Sequence, residues 1–199
     1  MMLTELTAVP AAALPVQPFK DHLRLGTGFA DDGAQDGLAA AYLRAAMAAI
    51  EARTGKVLVA RRFGWTLTHW RDAGEQALPL APVRAIEALV MADRLGGETV
   101  VDPARYRLIP DMHRPRIAGA GRLLPSIPTG GTATVTIEAG FGPAWADVPA
   151  DLAQAVFLLA AQYHEDRHDR GPGDAGMPFG VSALIERWRT VRVLGGGAA

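Results

Sequence analysis

The sequence predicts an α+β fold: a mainly helical core of about four helices, with an antiparallel β insertion between the second and third long helical segments. Two changes of pattern predict this arrangement. Apolar residues recur every three or four positions before residue 57 and again after residue 149, which is the helical period. Between these segments, residues 57–142 are rich in β-branched and aromatic residues and are interrupted by Gly and Pro turns. No internal repeat is visible.

The composition is that of a globular protein. The chain has 199 residues, of which 49% are hydrophobic and 21% charged, which is enough to bury a core. A net charge of -1 gives no general attraction to nucleic acid. Without cysteine, disulfides and thiolate sites are excluded. The chain shows neither a signal peptide nor an apolar run of membrane-spanning length. We therefore expect a soluble intracellular protein with no membrane partner and no cofactor.

The N-terminal third predicts an arm and two helices. Residues 1–17 are rich in Ala and Pro, and we expect an extended arm without regular structure. A short helix is predicted over 18–25, with Pro18 in its first turn. Asp36 is predicted to cap a helix that ends before Gly55. The apolar face of this helix is expected in the internal core, and the alternative is packing against another subunit. That face comprises Leu38, Tyr42, Ala45, Ala46, Ala49 and Ile50.

The remaining elements complete a domain predicted over 18–194, with helices over 18–56, the β-rich insertion over 57–142 and helices over 149–188. The clearest strand has Val135 and Ile137 on one face, with Thr134, Thr136 and Glu138 on the other. Pro149 begins the third long helix, and a final helix begins near Pro178. Residues 195–199 are expected to form a flexible tail. The buried stripe of the third helix is predicted to be Leu152, Ala155, Val156, Leu159 and Tyr163.

One motif suggests an enzyme. His164, Glu165 and His168 form the HExxH pattern of zinc peptidases, in which two His side chains on one helix face bind the metal and the Glu acts as general base. Asp174 or Glu186 would have to be the third ligand. A small zinc metallopeptidase is therefore the alternative hypothesis.

Three features argue against this alternative. The two middle positions, Asp166 and Arg167, are charged and costly to bury beside a metal. The motif also ends a helix just before a Gly-Pro-Gly break, where the helix dipole itself favours His and Arg. Only 25 residues follow Asp174, which leaves little chain for a protease cleft. We therefore predict no catalytic residue and no metal site. Glu165 and Arg167 are instead expected to make ion pairs at the helix end or between subunits.

Several phrases in a fixed order resemble the head–tail connector family, the adaptor proteins below the portal of long-tailed phages and gene transfer agents. An acidic loop is followed by a helix ending in an IExxTGxxL phrase at Ile50 to Leu58 and by a Trp strand from Trp65 to Trp70. Later phrases are LPLAPVRAIEAL, YRLIP and VTIEAGFG, a helix of the VPxxLxxA type from Val148, and a PFGVxALI ending from Pro178 to Val193. The resemblance spans about residues 18–193. It does not cover the N-terminal arm, the Gly-Ala tail or the two histidines.

The resemblance implies a structural, non-enzymatic protein. Such a connector would form a ring of about twelve subunits beneath the portal and extend the DNA channel without sequence-specific binding. It would offer a docking surface to the next connector or stopper protein. Isolated subunits could be monomeric, because the portal can act as the template for ring closure. The expected location is the head–tail junction of a virion or gene transfer agent particle, after assembly in the host cytoplasm.

The resemblance also implies a portal-binding segment at the C-terminus. Trp188 would be an apolar anchor in that segment, and its arginines would be charge partners of the portal. The simpler reading, which stays open here, is that Trp188 belongs to the core and the arginines are solvated. The predicted portal-binding residues are Arg187, Trp188, Arg189, Val191, Arg192, Val193 and Leu194.

Overall fold

The computed structural model describes residues 1–23, 34–166 and 177–189. Within these ranges it contains four α-helices and two antiparallel sheets, and all but one of the strands lie between the second and third helices. The predicted α+β fold is therefore confirmed. The helices are α1 (Val16–His22), α2 (Ala34–Thr54), α3 (Ala150–Glu165) and α4 (Phe179–Ile185), and a 3-10 turn over Glu186–Trp188 follows α4.

The strands form one larger and one smaller sheet. The larger sheet has the order β1-β2-β8-β4-β5 and the smaller one β3-β7-β6. Central strand β8 pairs with β2 on one side and β4 on the other, and its burial alternates residue by residue as predicted. The strands are β1 (Met2–Glu5), β2 (Arg61–Leu67), β3 (Glu75–Ala77), β4 (Val83–Ala92), β5 (Glu98–Val100), β6 (Tyr106–Ile109), β7 (Arg116–Gly119) and β8 (Thr132–Ala139).

Two hydrophobic cores follow from this layout. One fills the helical layer, where the predicted stripe of α3 packs against α1, α2 and α4. The other lies between the two sheets, with Trp65, Val135 and Ile137 from the larger sheet facing Tyr106 and Ile117 from the smaller. Burial of apolar area in each core supplies the main stabilisation of the fold.

The N-terminal arm differs from the expectation of no regular structure. Its first residues form β1, which pairs antiparallel with β2 from Met2↔Thr66 to Glu5↔Phe63. Val9 and Leu14 are then buried in the helical core, and α1 begins at Val16, two residues earlier than predicted. A run of Ala and Pro has no period of its own, so tertiary contacts decide its structure.

The N-cap of α2 and part of its buried face differ from the prediction. Gly55 ends the helix as expected, with a φ of 68°, which glycine adopts without strain. Asp36, however, is not the cap: it lies within the first turn of α2 and its Oδ1 accepts from Lys20 Nζ at 2.8 Å. Leu38 and Ala45 are exposed, and the buried face is Ala39, Leu43, Ala46, Met47 and Ile50. Nine of the 21 residues of α2 are Ala, so the two faces of the helix differ little in the sequence.

The chain leaves the helical layer for the β insertion and returns to it at one junction. The insertion begins and ends at neighbouring points, because Phe141 N donates to Leu58 O at 3.2 Å and Ala60 N donates to Gly142 O at 2.7 Å. Gly140 is required there, since a Cβ atom at this position would lie 2.4 Å from the Cα atom of Ala60. The sheets therefore project from the helical layer without separating α2 from α3.

Candidate interaction site at the C-terminal helix

Helix α4 and the 3-10 turn after it form the candidate site. Pro178 precedes the first turn of α4, where its missing N–H has no cost, and its carbonyl accepts from Ser182 N at 2.9 Å. Val181 and Ile185 fix the helix on α3 by burial in the helical core. Phe179 points the other way, with 89% of its surface exposed. Helix α4 therefore has one face buried in the helical core and one face exposed to solvent.

Trp188 is held inside its own subunit. Only 8% of its surface is exposed, and its ring meets Phe141 edge-on with 5.4 Å between the ring centroids. Its indole Nε1 donates to Asp151 Oδ2 at 2.7 Å, so its polar atom is satisfied as well. Asp151 lies in the first turn of α3, where the helix dipole favours a negative charge. Trp188 thus holds the 3-10 turn after α4 against the N-terminal end of α3.

The two neighbouring arginines lie on the outside of this contact. Arg187 Nε lies 2.7 Å from Asp151 Oδ2, and its guanidinium is 4.8 Å from the centroid of the Trp188 ring. Arg189 pairs with Glu186 at 3.0 Å in an exposed i,i+3 arrangement. The exposed Arg189–Glu186 pair contributes little to stability. The Arg187 side chain is itself 70% exposed, although its partner Asp151 is not, so both arginines are accessible to a partner.

Three of the seven predicted portal-binding residues are therefore brought together: Arg187, Trp188 and Arg189. The other four, Val191, Arg192, Val193 and Leu194, lie outside the described residues. The sequence did not reveal Phe141 as the ring partner of Trp188 or Asp151 as the acceptor of its Nε1 hydrogen bond. No spacing rule connects Asp151 with Trp188, which lie 37 positions apart, so only the packing of α4 on α3 reveals their contact.

The HExxH motif lies at the end of α3. The His164 ring meets Tyr42 of α2 edge-on, with 5.9 Å between the centroids. Glu165 is the exposed last residue of the helix, while His168, Asp174 and Arg167 lie outside the described residues. Glu186, the other suggested third ligand, pairs with Arg189. Among the described residues, no three His, Asp or Glu side chains are grouped closely enough to hold a metal ion. The Glu165–Arg167 ion pair stays a prediction.

No helix in the described part of the chain combines the length and the apolar character that crossing a membrane requires.

Comparison with known proteins bears on the two hypotheses from the sequence, a structural connector and a zinc metallopeptidase. No family model and no curated protein sequence matches the chain. Three solved structures match it over 98% of its length and 99% of theirs. One is from the neck of an empty gene transfer agent particle computed with C6 symmetry (61% identity, TM-score 0.89), and one is from the virion of a native gene transfer agent particle (61%, 0.86). The third is from the neck of a native particle computed with C12 symmetry (57%, 0.83).

Identity of this size over nearly the whole chain decides the family. The chain belongs to the head–tail connector family. The resemblance given by the ordered phrases is therefore confirmed. The similarity to these chains covers 98% of the sequence and therefore also extends over most of the residues outside the phrases.

Proposed function

We propose that this connector is a non-enzymatic structural protein of the neck of a gene transfer agent particle, and that it takes its place there after assembly in the host cytoplasm. The observation that carries the proposal is 57–61% identity, over 98% of the chain, to chains from such necks and virions. At this identity the fold and its contact surfaces are expected to be shared. The use of His164 in packing against Tyr42 agrees with a structural role for α3.

The proposed assembly is a closed ring of about twelve copies. Six-fold and twelve-fold symmetry in the related necks supports it. A ring with such symmetry is closed by heterologous contacts, in which two different surfaces of one copy meet their counterparts on the two neighbours. The ring would extend the DNA channel without sequence-specific contacts, in line with the net charge of -1.

The proposed partners are the portal on one side and the next connector or stopper protein on the other. The portal-binding segment would comprise Arg187 and Arg189, which are accessible, and Val191 to Leu194 beyond them. Trp188 has a different part in this proposal from the one the sequence suggested. Because its ring is buried and its Nε1 is bonded to Asp151, it would fix the starting point of the segment instead of entering the portal.

Removing residues 190–199 tests the proposal. The truncated connector keeps Trp188 and its contacts, so we expect a folded protein with an unchanged melting temperature. In cells lacking the native gene, we expect purified particles to contain less than a tenth of the normal amount of connector, measured by quantitative mass spectrometry, and to lack tails in electron micrographs.

Deletion of residues 195–199 alone is the matched control. It shortens the same end but keeps Val191 to Leu194, so particles should carry normal connector and tails. If the 190–199 deletion also fills the neck normally, the portal-binding assignment is wrong. If neither the intact chain nor any variant is found in particles, the proposed function itself is wrong.

A further inference from the structure

The larger sheet has two open edges. Strand β1 is hydrogen-bonded to β2 on one side only, and β5 to β4 on one side only, and in the described part of the chain no strand lies beside their outer edges. Every residue of both strands is exposed. An open edge offers unpaired backbone N–H and C=O groups to any strand that can reach it.

Both edges also expose large apolar side chains. Along the β1 edge the exposed fractions are 83% for Met1, 64% for Met2, 39% for Leu3 and 51% for Leu6. Beside β5 they are 85% for Leu95 and 70% for Val100. Six of the ten exposed large hydrophobic residues described in the structure thus lie at these two edges. Apolar surface concentrated in this way marks an association site.

The usual protection of a sheet edge is missing at β1. Monomeric proteins shield such edges with Lys, Pro or outward charges. Residues 1–6 contain no basic residue and no Pro. Their single side-chain charge, on Glu5, is 3.1 Å from Arg61 Nε, the guanidinium of a buried side chain of the same subunit. The β1 edge therefore lacks the features that keep an exposed strand from pairing with another chain.

The partner that fits these edges is a second copy of this chain. This choice rests on the ring proposed above. Related necks have six-fold and twelve-fold symmetry, so a ring needs two different surfaces on opposite sides of each copy. The two edges fulfil this condition. They belong to different strands and are separated by the three strands β2, β8 and β4. At about 4.8 Å per step between strands, β1 and β5 lie roughly 19 Å apart.

We infer that the β1 edge of one connector docks against the β5 edge of the next, so that the larger sheets of neighbouring subunits meet edge to edge around the ring. Backbone pairing along the strands would supply affinity, and the apolar residues beside them would exclude water from the joint. The helical layer is then free to carry the contacts to portal and stopper.

Engineered disulfides test the inference, and the absence of native cysteine makes them unambiguous. Leu3→Cys is combined in turn with Glu98→Cys, Thr99→Cys and Val100→Cys, so that the register of the joint need not be known in advance. A disulfide requires Cα atoms within about 7 Å, so the two positions cannot be linked within one subunit. Particles are purified, oxidised and run on non-reducing gels. The matched control combines Leu3→Cys with Arg53→Cys, an exposed position on α2.

At least one edge pair should produce a ladder of multimers up to the full ring, with more than half of the connector above monomer mass, while the control and the single variants stay monomeric. If no edge pair gives a ladder in particles with normal connector content and tails, the inference is overturned and the proposed function stands. A ladder from the control pair of equal extent would overturn it as well. Absence of the connector from all particles would count against the proposed function instead.

Discussion

At the residue scale, Arg61 joins three parts of the connector. Its guanidinium lies 2.6 Å from Glu51 of α2 and 3.1 Å from Glu5 of β1, while its backbone belongs to β2. Burial acts to lower the pKa of Arg61, but the hydrogen bonds and charges of Glu51 and Glu5 outweigh it and raise that pKa. The cation is thus stabilised by its two carboxylates inside the junction between helices and sheet.

Replacing Arg61 with Ala should therefore destabilise the protein by about 3 kcal/mol, because Glu51 would be left partly buried without its cation. Urea unfolding followed by circular dichroism measures the loss. Arg62→Ala is the neighbouring control: Arg62 pairs with Glu87 on the exposed face of the sheet, so we expect a loss below about 1 kcal/mol. Equal losses for both variants would contradict the role given to Arg61.

Lys56 offers a test through pH. It is fully buried beside the end of α2; burial lowers its pKa, and the charge of Asp111 acts in the opposite direction. The unfolded chain therefore holds this proton at pH values where the folded chain has lost it, so stability rises with pH in that window. Relative to Lys56→Met, the free energy of unfolding of the wild type should increase as the pH is raised towards 10.5. Urea titrations between pH 7 and pH 10 measure the difference, and a decreasing one would refute the assignment.

At the element scale, the stability of α4 depends on the contact that Trp188 makes just after the C-terminal end of the helix. The helix has seven residues, too few to be stable alone, and the burial of Val181, Ile185 and Trp188 holds it on α3. Asp151 connects the two helices by accepting from Trp188 Nε1.

Trp188→Ala should thus cost about 3 kcal/mol, because it leaves a cavity against Phe141 and removes one of the hydrogen-bond donors to Asp151. Trp188→Phe keeps most of the ring volume and should lose less than half as much. Thermal unfolding of purified protein gives both values. A Trp188→Ala variant that is as stable as wild type but absent from particles would instead indicate that the ring itself contacts the portal.

Elements with a clear period could be predicted from the sequence, and elements that depend on distant contacts could not. Strand β8 alternates strictly and α3 has an unbroken apolar stripe, so both follow from local physical chemistry. Strand β1 exists only because β2 presents an edge more than fifty residues later in the chain. The candidate site shows the same limit, since the family resemblance pointed to Trp188 but not to its acceptor Asp151.

At the scale of the whole molecule, the zinc alternative makes a distinct prediction. A zinc peptidase would lose its bound metal and its activity on treatment with a chelator. A structural connector needs no metal, so a chelator should not affect it. The purified connector should contain less than a tenth of a zinc ion per chain by elemental analysis, and EDTA should leave its melting temperature unchanged. Particles carrying Glu165→Gln should assemble and attach tails normally. Stoichiometric zinc together with loss of function in Glu165→Gln would restore the peptidase hypothesis.

The junction at Leu58 and Phe141 has a consequence for how such proteins can change. Because the chain leaves the helical layer and re-enters it at adjacent hydrogen-bonded positions, the chain between them can change in length without moving the end of α2 away from the start of α3. No residue of the hydrophobic cluster of the helical layer lies between Ala60 and Gly140, and the insertion reaches α2 and the N-terminal arm through β2, by way of Arg61 and the pairing with β1. The parts of the insertion beyond β2 can therefore be enlarged or replaced to suit different neighbours while the helical layer stays constant.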